Sequence, residues 1–326
     1  MGGLESRIGS VIAAAKLARG ELAARIDRCA WQLRPPGLKN REDRDRFTAC
    51  LAVAVADLAR LASGQTVLST IPGPASPFNP FGEIKRLGRT DLKEATWLAF
   101  LATHVGWDRP DSCGALYGGL GRQPGWTWDA VSSDRGTGFS RWMDGSWQQL
   151  SRLAPFGNHR KYLTHRPSAP VSTRDTVRSF AAWTGEQRWP WEAGVGSPEA
   201  AFDRLYSSLD AVAGFGRTAR YDYLRLLGLL GLASVWPGRC YLEGASGPRR
   251  GAALMFLGRG PEGVPVSWLE ERCADLAGGL GVDLQAVEDA VCNWQKRSWQ
   301  PPALGTGTFG ADLQRAPPRT LRGALR

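Results

Sequence analysis

The chain of 326 residues is 43% hydrophobic and carries a formal charge of +10, with 41 Lys and Arg against 31 Asp and Glu. This apolar content excludes wholesale disorder. The positive charge favours an anionic partner, nucleic acid before acidic membrane, although a basic surface can also serve solubility alone. Six scattered cysteines include no CxxC pair, which argues against zinc and iron–sulfur sites, so no cofactor is expected. Reduced thiols are typical of the cytoplasm, the predicted location.

The first third of the sequence has helical periodicity. Apolar residues at helical spacing predict one amphipathic helix over residues 4–33, stopped by Pro35-Pro36-Gly37. A second helix is predicted with Phe47 to Leu61 on one face. Residues 71–82 contain four prolines and predict an extended connection. No apolar run approaches the length of a membrane span, so no membrane partner is expected.

Helical patterns also dominate the rest of the chain. A helix is predicted over residues 92–105, with Trp97 and Phe100 pointing inward, followed by Gly- and Trp-rich short helices and loops. Strand alternation is nearly absent, so the expected fold is mainly α with long irregular loops. Later segments are predicted as helices over 142–153 and from 198 to about 299, and as connections at 167–172 and 189–191.

These patterns divide the chain into three regions. Residues 1–85 form an N-terminal helical region with the proline-rich connection, residues 86–300 the main domain, and residues 301–326 a basic, flexible tail. The tail contains a formal GxGxxG at 305–310. No strand precedes it, so a nucleotide-binding loop is not expected there.

A turn near residue 214 has the pattern of a helix–hairpin–helix motif. Gly214 and Gly216 allow backbone angles that side chains forbid, and the following helix directs its first N–H groups outward. A DNA phosphate fits such a helix end without any base being read. Arg217 and Arg220 would add positive charge on the same side. The alternative is an ordinary helical corner with glycine at the bend.

Two further segments are rich in polar side chains. Asn158, His159, Arg160, Lys161 and Tyr162 combine proton-carrying and phosphate-binding groups, and the alternative is a solvated basic loop. A histidine also ends the apolar helix before it. It is His104, and a histidine at the end of an apolar helix is more often a core residue than a ligand.

Residues 243–251 predict an anion-binding helix start. Small residues precede Pro248, Arg249 and Arg250, and Ser246 is a possible cap. Glu243 lies just before this segment.

Residues 287–296 predict a helix with two polar faces. Glu288, Cys292 and Gln295 share one face, and the adjoining face carries Asp289, Asn293 and Lys296. A purely solvated face seldom includes Asn and Cys among its charges. Ionisable groups this close can shift one another's pKa for acid–base work, so the pattern favours a site over a solvated face.

Five blocks in order resemble the alpha-glutamyl/putrescinyl thymine pyrophosphorylases, also described as amino acid:DNA transferases, which are related to the helix–hairpin–helix DNA glycosylases. The resemblance covers about residues 87–299. It implies a glycosylase-like helical architecture for residues 86–300. The blocks are EATWLAFLATH (94–104), FGNHRKY (156–162), GRTARYDYLRLLG (216–228), SGPRRGA (246–252) and EDAVCNWQK (288–296).

The resemblance implies a reaction on viral DNA. A DNA kinase phosphorylates 5-hydroxymethyluracil in double-stranded DNA, and this class of enzyme replaces the phosphate or pyrophosphate by an amine such as glycine, another amino acid or putrescine. Bacteriophages use such thymidine hypermodification to evade restriction, and the reacting base must leave the stack.

The residue types suit that chemistry. Arg160, Lys161, Arg249 or Arg250 could stabilise the departing phosphate. His159 is a natural base, with Glu288 and Asp289 as alternatives. Asn293 and Lys296 complete the predicted catalytic group. Further pocket candidates are His104, Asn158, Tyr162, Asp222, Glu243, Cys292 and Gln295.

One departure from the related glycosylases separates the alternatives. Their catalytic Asp follows the hairpin by about twenty residues, whereas residues 231–239 here contain none and Glu243 is the nearest carboxylate. This weakens a second hypothesis, in which the chain is a glycosylase or lyase that removes a modified base. A third reading is a DNA-binding protein without catalysis, which would bind with steep salt dependence.

Overall fold

A computed structural model describes residues 2–17, 19–67, 78–121, 125–186, 189–190 and 196–296. Over these ranges all regular structure is helical, which confirms the mainly α prediction. Within them, no helix is both long and apolar enough to cross a membrane. The α-helices are α1 (Gly2–Ala14), α2 (Arg19–Leu33), α3 (Arg41–Ala62), α4 (Pro80–Leu87), α5 (Leu92–Val105), α6 (Pro110–Tyr117), α7 (Trp128–Ser132), α8 (Thr137–Leu153), α9 (Thr173–Glu186), α10 (Pro198–Ser208), α11 (Arg217–Leu229), α12 (Ser246–Leu257), α13 (Val266–Leu280) and α14 (Leu284–Trp294).

The N-terminal region forms two helices, so the prediction of a single helix over residues 4–33 was wrong. The N–H groups of Lys16 and Leu17 bond to carbonyls three residues back, which closes a turn after α1. Helices α1 and α2 each pack on α3. A straight helix of 30 residues would be about 45 Å long and would overrun α3, which spans about 33 Å. The break lets both halves bury their apolar faces on the same helix.

The predicted connection over residues 71–82 ends earlier than expected. Helix α4 begins at Pro80, because the Asn79 side chain accepts hydrogen bonds from the N–H groups of Phe81 and Gly82. Proline at the first helical position needs no N–H donor, so it starts a helix as readily as it ends one. Residues 71–77 of this connection, and the predicted tail with its glycine-rich segment, lie outside the described residues.

The chain divides into two compact units. The first, called the central unit, spans Ser63–Trp236, and the second, the terminal unit, combines Gly2–Ala62 with the described residues from Pro237 onward. Helix α5 is the core of the central unit, with Trp97 and Phe100 fully buried as predicted. The Phe100 ring stacks on Phe180 of α9 with centroids 3.8 Å apart. Around this pair the unit assembles α4 to α11.

The terminal unit is built on the pairing of α3 with α14. Trp294, at the end of α14, meets Phe47 of α3 edge-on, and its indole N–H donates to the Asp43 carbonyl. The Arg46 side chain donates to the carbonyls of Trp294 and Lys296. A guanidinium at this point satisfies carbonyls that the end of a helix leaves without partners. The polar face of α14 is therefore held in a fixed orientation.

Candidate functional site

The turn between α10 and α11 is stabilised from within and from α9. The Phe215 N–H bonds to the Val212 carbonyl, and the Ala213 N–H bonds to the Ser179 hydroxyl oxygen. Gly214 has a φ of +71°, a left-handed conformation that favours glycine. A Cβ there would lie 3.0 Å from the Val171 Cγ1 atom. The sequence prediction of a glycine-dependent turn is correct, and its use by DNA stays a prediction.

Helix α11 begins with backbone donors at the turn. Gly216 is the N-cap, and no side chain of the described residues caps this end. The first intrahelical bond is donated by Arg220, so the N–H groups of Thr218 and Ala219 precede the ladder. A Cβ at Gly216 would meet nothing within 4 Å, so the position is open. Such an end attracts anions through its donors and its partial positive charge.

The two hairpin arginines are held by aromatic rings. The Arg217 guanidinium lies 4.6 Å from the ring centre of Tyr221, and that of Arg220 lies 4.6 Å from Tyr206. Arg220 also pairs with Asp210 at 3.0 Å. Both cations are thus oriented beside the start of α11.

The basic loop over residues 156–162 is fastened to the C-terminal end of α5. The Gly157 N–H donates to the Val105 carbonyl at 2.7 Å, and Arg160 Nε donates to the Thr103 carbonyl at 2.9 Å. Arg160 Nη2 bonds to the Asp222 carboxylate of α11 at 3.0 Å. The Arg160 guanidinium is therefore engaged inside the unit, and Asp222 is its counter-ion.

The remaining polar members of the loop are exposed. They are Asn158, His159, Lys161 and Tyr162, of which Tyr162 is 88% exposed with the Lys161 ammonium 5.2 Å from its ring centre. A Cβ on Gly214 would lie 3.7 Å from the side chain of Leu163, which follows directly. The structure thus brings the basic loop and the hairpin together into one surface of the central unit, called here the hairpin face.

His104 lies in a buried network that the sequence did not reveal. The Thr173 hydroxyl joins two rings, at 3.0 Å from His104 Nε2 and 2.9 Å from His165 Nδ1. His165 Nε2 lies 2.8 Å from the Ala154 carbonyl and must donate to it, so Thr173 donates to Nδ1 and accepts from His104. Burial lowers the pKa of His104 to about 3 and lowers that of His165. Both rings are therefore neutral supports of the loop.

In the terminal unit two glycines set α12 against α14. A Cβ on Gly247 would lie 2.8 Å from the Cys292 Sγ atom, and one on Gly251 would collide with the Val291 carbonyl. Only residues without side chains permit this approach. Ala245, not Ser246, is the N-cap of α12, and its side chain cannot serve as a cap, so the predicted Ser246 cap was wrong. The start of α12 consequently lies directly beside the polar face of α14.

That polar face gathers most of the predicted catalytic group. The Lys296 ammonium donates to the Asn293 side-chain oxygen at 3.4 Å. Burial raises the pKa of the Cys292 thiol to about 11; Lys296 lowers it, and the carboxylates of Glu288 and Asp289 raise it. Cys292 is therefore a neutral thiol near pH 7, unsuited to act as a nucleophile. Negative charges of Glu288 and Asp289 precede Cys292 by about one helical turn, and the positive charge of Lys296 follows it at the same spacing.

The other predicted residues of this unit vary in exposure. Glu243 and Arg250 are exposed, whereas Arg249 and Gln295 are half-buried and Glu288 is 4% exposed. The Arg249 Nε atom is buried and has no hydrogen-bond partner among the described residues. In the part of the chain that the structure describes, no group of three His, Cys, Asp or Glu side chains could hold a metal ion.

Comparison with protein families gives one assignment. The matching family is described as alpha-glutamyl/putrescinyl thymine pyrophosphorylase clade 3, and the match spans residues 63–301. Comparison with curated proteins and with solved structures found no match.

Proposed function

The chain belongs to the clade 3 alpha-glutamyl/putrescinyl thymine pyrophosphorylases, enzymes of thymine hypermodification, and we propose that it transfers an amine onto phosphorylated 5-hydroxymethyluracil in DNA. The observation that carries the proposal is the family match over residues 63–301, which includes the hairpin, the basic loop and the polar face of α14. The substrate is double-stranded DNA already phosphorylated by a DNA kinase. The second substrate is an amino acid or a polyamine.

The hairpin face supplies groups suited to a DNA backbone. The N-terminal donors of α11 and the cations of Arg217 and Lys161 all lie on this surface. Phosphate contacts of this kind position a duplex without reading its sequence. The exposed ring of Tyr162 offers a flat surface for an unstacked base.

The reaction needs one bond made and one broken at the exocyclic carbon of the base. The amine nitrogen attacks that carbon, the carbon–oxygen bond breaks, and phosphate or pyrophosphate leaves with the bonding electrons. The amine loses one proton to a base. Cations that face the leaving oxygens lower the barrier, because negative charge develops there.

The start of α12 and the polar side chains at the end of α14, here called the α12–α14 face, offer both cations and a base. Lys296 and Arg250 carry the positive charges, and the backbone N–H groups at the start of α12 add to them. Asp289 is half-buried near the Cys292 thiol, which Lys296 also approaches, and it is the proposed base on this face. Asn293 orients the Lys296 ammonium through its side-chain oxygen. On the hairpin face, His159 is the alternative base.

The test uses the full chain and defined DNA. Duplex containing 5-hydroxymethyluracil is treated with a DNA kinase, then with the protein and a pool of isotopically labelled amines, and the nucleosides are analysed by mass spectrometry. We expect a labelled aminomethyl-type 2′-deoxyuridine and an equal amount of released phosphate or pyrophosphate. Asp289→Asn or Lys296→Met should lower the rate by a factor of roughly 100 or more. Asp275→Asn, which alters an exposed ion pair of α13, is the matched control.

Three results would contradict the proposal or its assignments. Abasic sites without a labelled product would indicate a glycosylase. Salt-sensitive binding with every base unchanged would indicate a DNA-binding protein without catalysis. Full activity of Asp289→Asn together with loss in His159→Ala would move the base to the hairpin face.

A further inference from the structure

A cleft lies between the end of α2 and the start of α3, and its lining includes none of the candidate-site residues. It has a volume of about 540 Å³, within the range of small-ligand sites. Trp31 is 76% exposed at its edge. Indole is the largest apolar side chain, and leaving it in water forgoes a substantial burial energy. The other residues that line the cleft are Asp27, Ala30, Arg34, Pro35, Leu38, Lys39 and Arg44.

Arg34 adopts a conformation that the backbone alone would not select. Its φ is +46°, the left-handed region in which glycine commonly terminates a helix. A side chain in this position costs about 1 kcal/mol. The conformation directs the Arg34 guanidinium back over the Trp31 ring, 5.7 Å from its centre. The strained backbone thus accompanies the placement of a guanidinium over the exposed ring.

The cleft wall is fixed, and its remaining cations are available. Arg44 donates to the carbonyls of Leu38 and Lys39 and pairs with Asp27 at 2.9 Å, which neutralises the single carboxylate of the cleft. The side chains of Arg34 and Lys39 have no ion-pair partner among the residues that the structure describes. An exposed aromatic ring and two exposed cations therefore line the same cleft.

We propose that this cleft binds one nucleotide unit, with the base stacked on Trp31 and the phosphate bound by Arg34 and Lys39. Stacking on an aromatic ring accepts any base, because every base has a π face, and two cations match the charge of a phosphate. The unit can belong to a DNA strand or be a free nucleotide. The site does not depend on the proposed transfer reaction, because it requires only binding.

Photo-crosslinking locates the bound base directly. The full chain is irradiated with a short single-stranded oligodeoxynucleotide containing one 5-iodouracil, digested with trypsin and analysed by mass spectrometry. The adduct is expected on the peptide over residues 29–39, because trypsin does not cut between Arg34 and Pro35. Competition by thymidine monophosphate would identify a site for free nucleotides, and competition by the oligonucleotide alone a site for a strand. Competition by inorganic phosphate as strong as that by the nucleotide would overturn the stacking proposal.

Variants separate binding from folding. Trp31→Ala should weaken oligonucleotide binding roughly 5- to 150-fold in fluorescence anisotropy, while Trp31→Phe retains a ring and loses less. Arg34→Gly should weaken binding but raise the unfolding temperature, since it relieves the left-handed conformation. Arg41→Ala removes an exposed arginine of the same unit outside the cleft and is the matched control. Equal affinity of Trp31→Ala and Arg41→Ala, or an adduct only elsewhere in the chain, would refute the proposal.

Discussion

Acidification should destabilise the central unit through its buried histidines. His104 is 1% exposed, and its folded-state pKa is about 3 against 6.5 for a solvated histidine. At pH values between these two, His104 is protonated in the unfolded chain and neutral in the folded chain. The contribution of neutral His104 to the free energy of unfolding is therefore fully present above about pH 6.5 and is lost as the pH falls below that value. His165, whose pKa is also lowered by burial, contributes with the same sign.

The size of the effect follows from the interval between the two pKa values. Each pH unit below 6.5 corresponds to about 1.4 kcal/mol for one proton. Between pH 7 and pH 4.5, His104 alone should remove about 2.5 kcal/mol from the free energy of unfolding. This is a large part of the roughly 5–15 kcal/mol that stabilises a typical domain.

The assay compares the wild type with His104→Phe, which keeps an aromatic ring but cannot titrate. Urea unfolding followed by tryptophan fluorescence at pH 7, 6, 5 and 4.5 should show the variant less stable at pH 7 and the difference shrinking as the pH falls. NMR of labelled histidine provides an independent check, since the chain has three histidines and His159→Ala identifies one signal. Parallel stability curves, or a His104 signal that titrates near pH 6, would refute the reasoning.

Three further predictions concern packing and charge. Gly214→Ala should lower the free energy of unfolding in urea by about 1–2 kcal/mol and weaken DNA binding, because alanine is strained in the left-handed conformation. The control is Gly216→Ala, which should leave stability almost unchanged because a Cβ there meets open space. Equal effects of the two substitutions would contradict the left-handed turn. Asp222→Asn removes the counter-ion of a buried guanidinium and should cost about 3–5 kcal/mol, measured by thermal unfolding; a loss below 1 kcal/mol would mean that the charge is solvated. Gly251→Ala should separate α12 from α14 and lower both stability and the rate of amine transfer. The control is Gly278→Ala, where a Cβ meets nothing within 4 Å, and it should be neutral or stabilising by up to about 1 kcal/mol. Full transfer activity in Gly251→Ala would exclude a role for the contact between α12 and α14.

Local features of the fold could be predicted from the sequence. Helix α5 has the predicted bounds, because its apolar run follows a capping Asp91 and ends at Gly106. The break between α1 and α2 could not be predicted, because it depends on how both halves pack on α3. The start of α4 at Pro80 was available from Asn79 and the proline but was read as part of an extended connection.

The candidate site was only partly predictable for the same reason. The hairpin glycines and the polar faces of α14 follow from spacing along one element. The link between His104 and His165 through Thr173 joins residues up to 69 positions apart, and only the fold shows it. The approach of Gly247 to Cys292 is equally non-local. The sequence offered two signals for these contacts: the additional histidine, His165, and the two glycines one helical turn apart, Gly247 and Gly251.

The pairing of α3 with α14 has a consequence for synthesis on the ribosome. The last residue of α3 and the first of the returning segment, Ala62 and Pro237, are separated by about 170 residues that form the central unit. Helix α14 begins about 220 residues after α3 ends, so at a typical rate of 5–20 residues per second α3 waits roughly ten to forty-five seconds for its partner. Throughout that interval the apolar side chains of α3 that later pack on α14 lack the surface that covers them. The nascent chain is thus exposed to aggregation, and chaperone supply should limit the yield of this protein more than its final stability does.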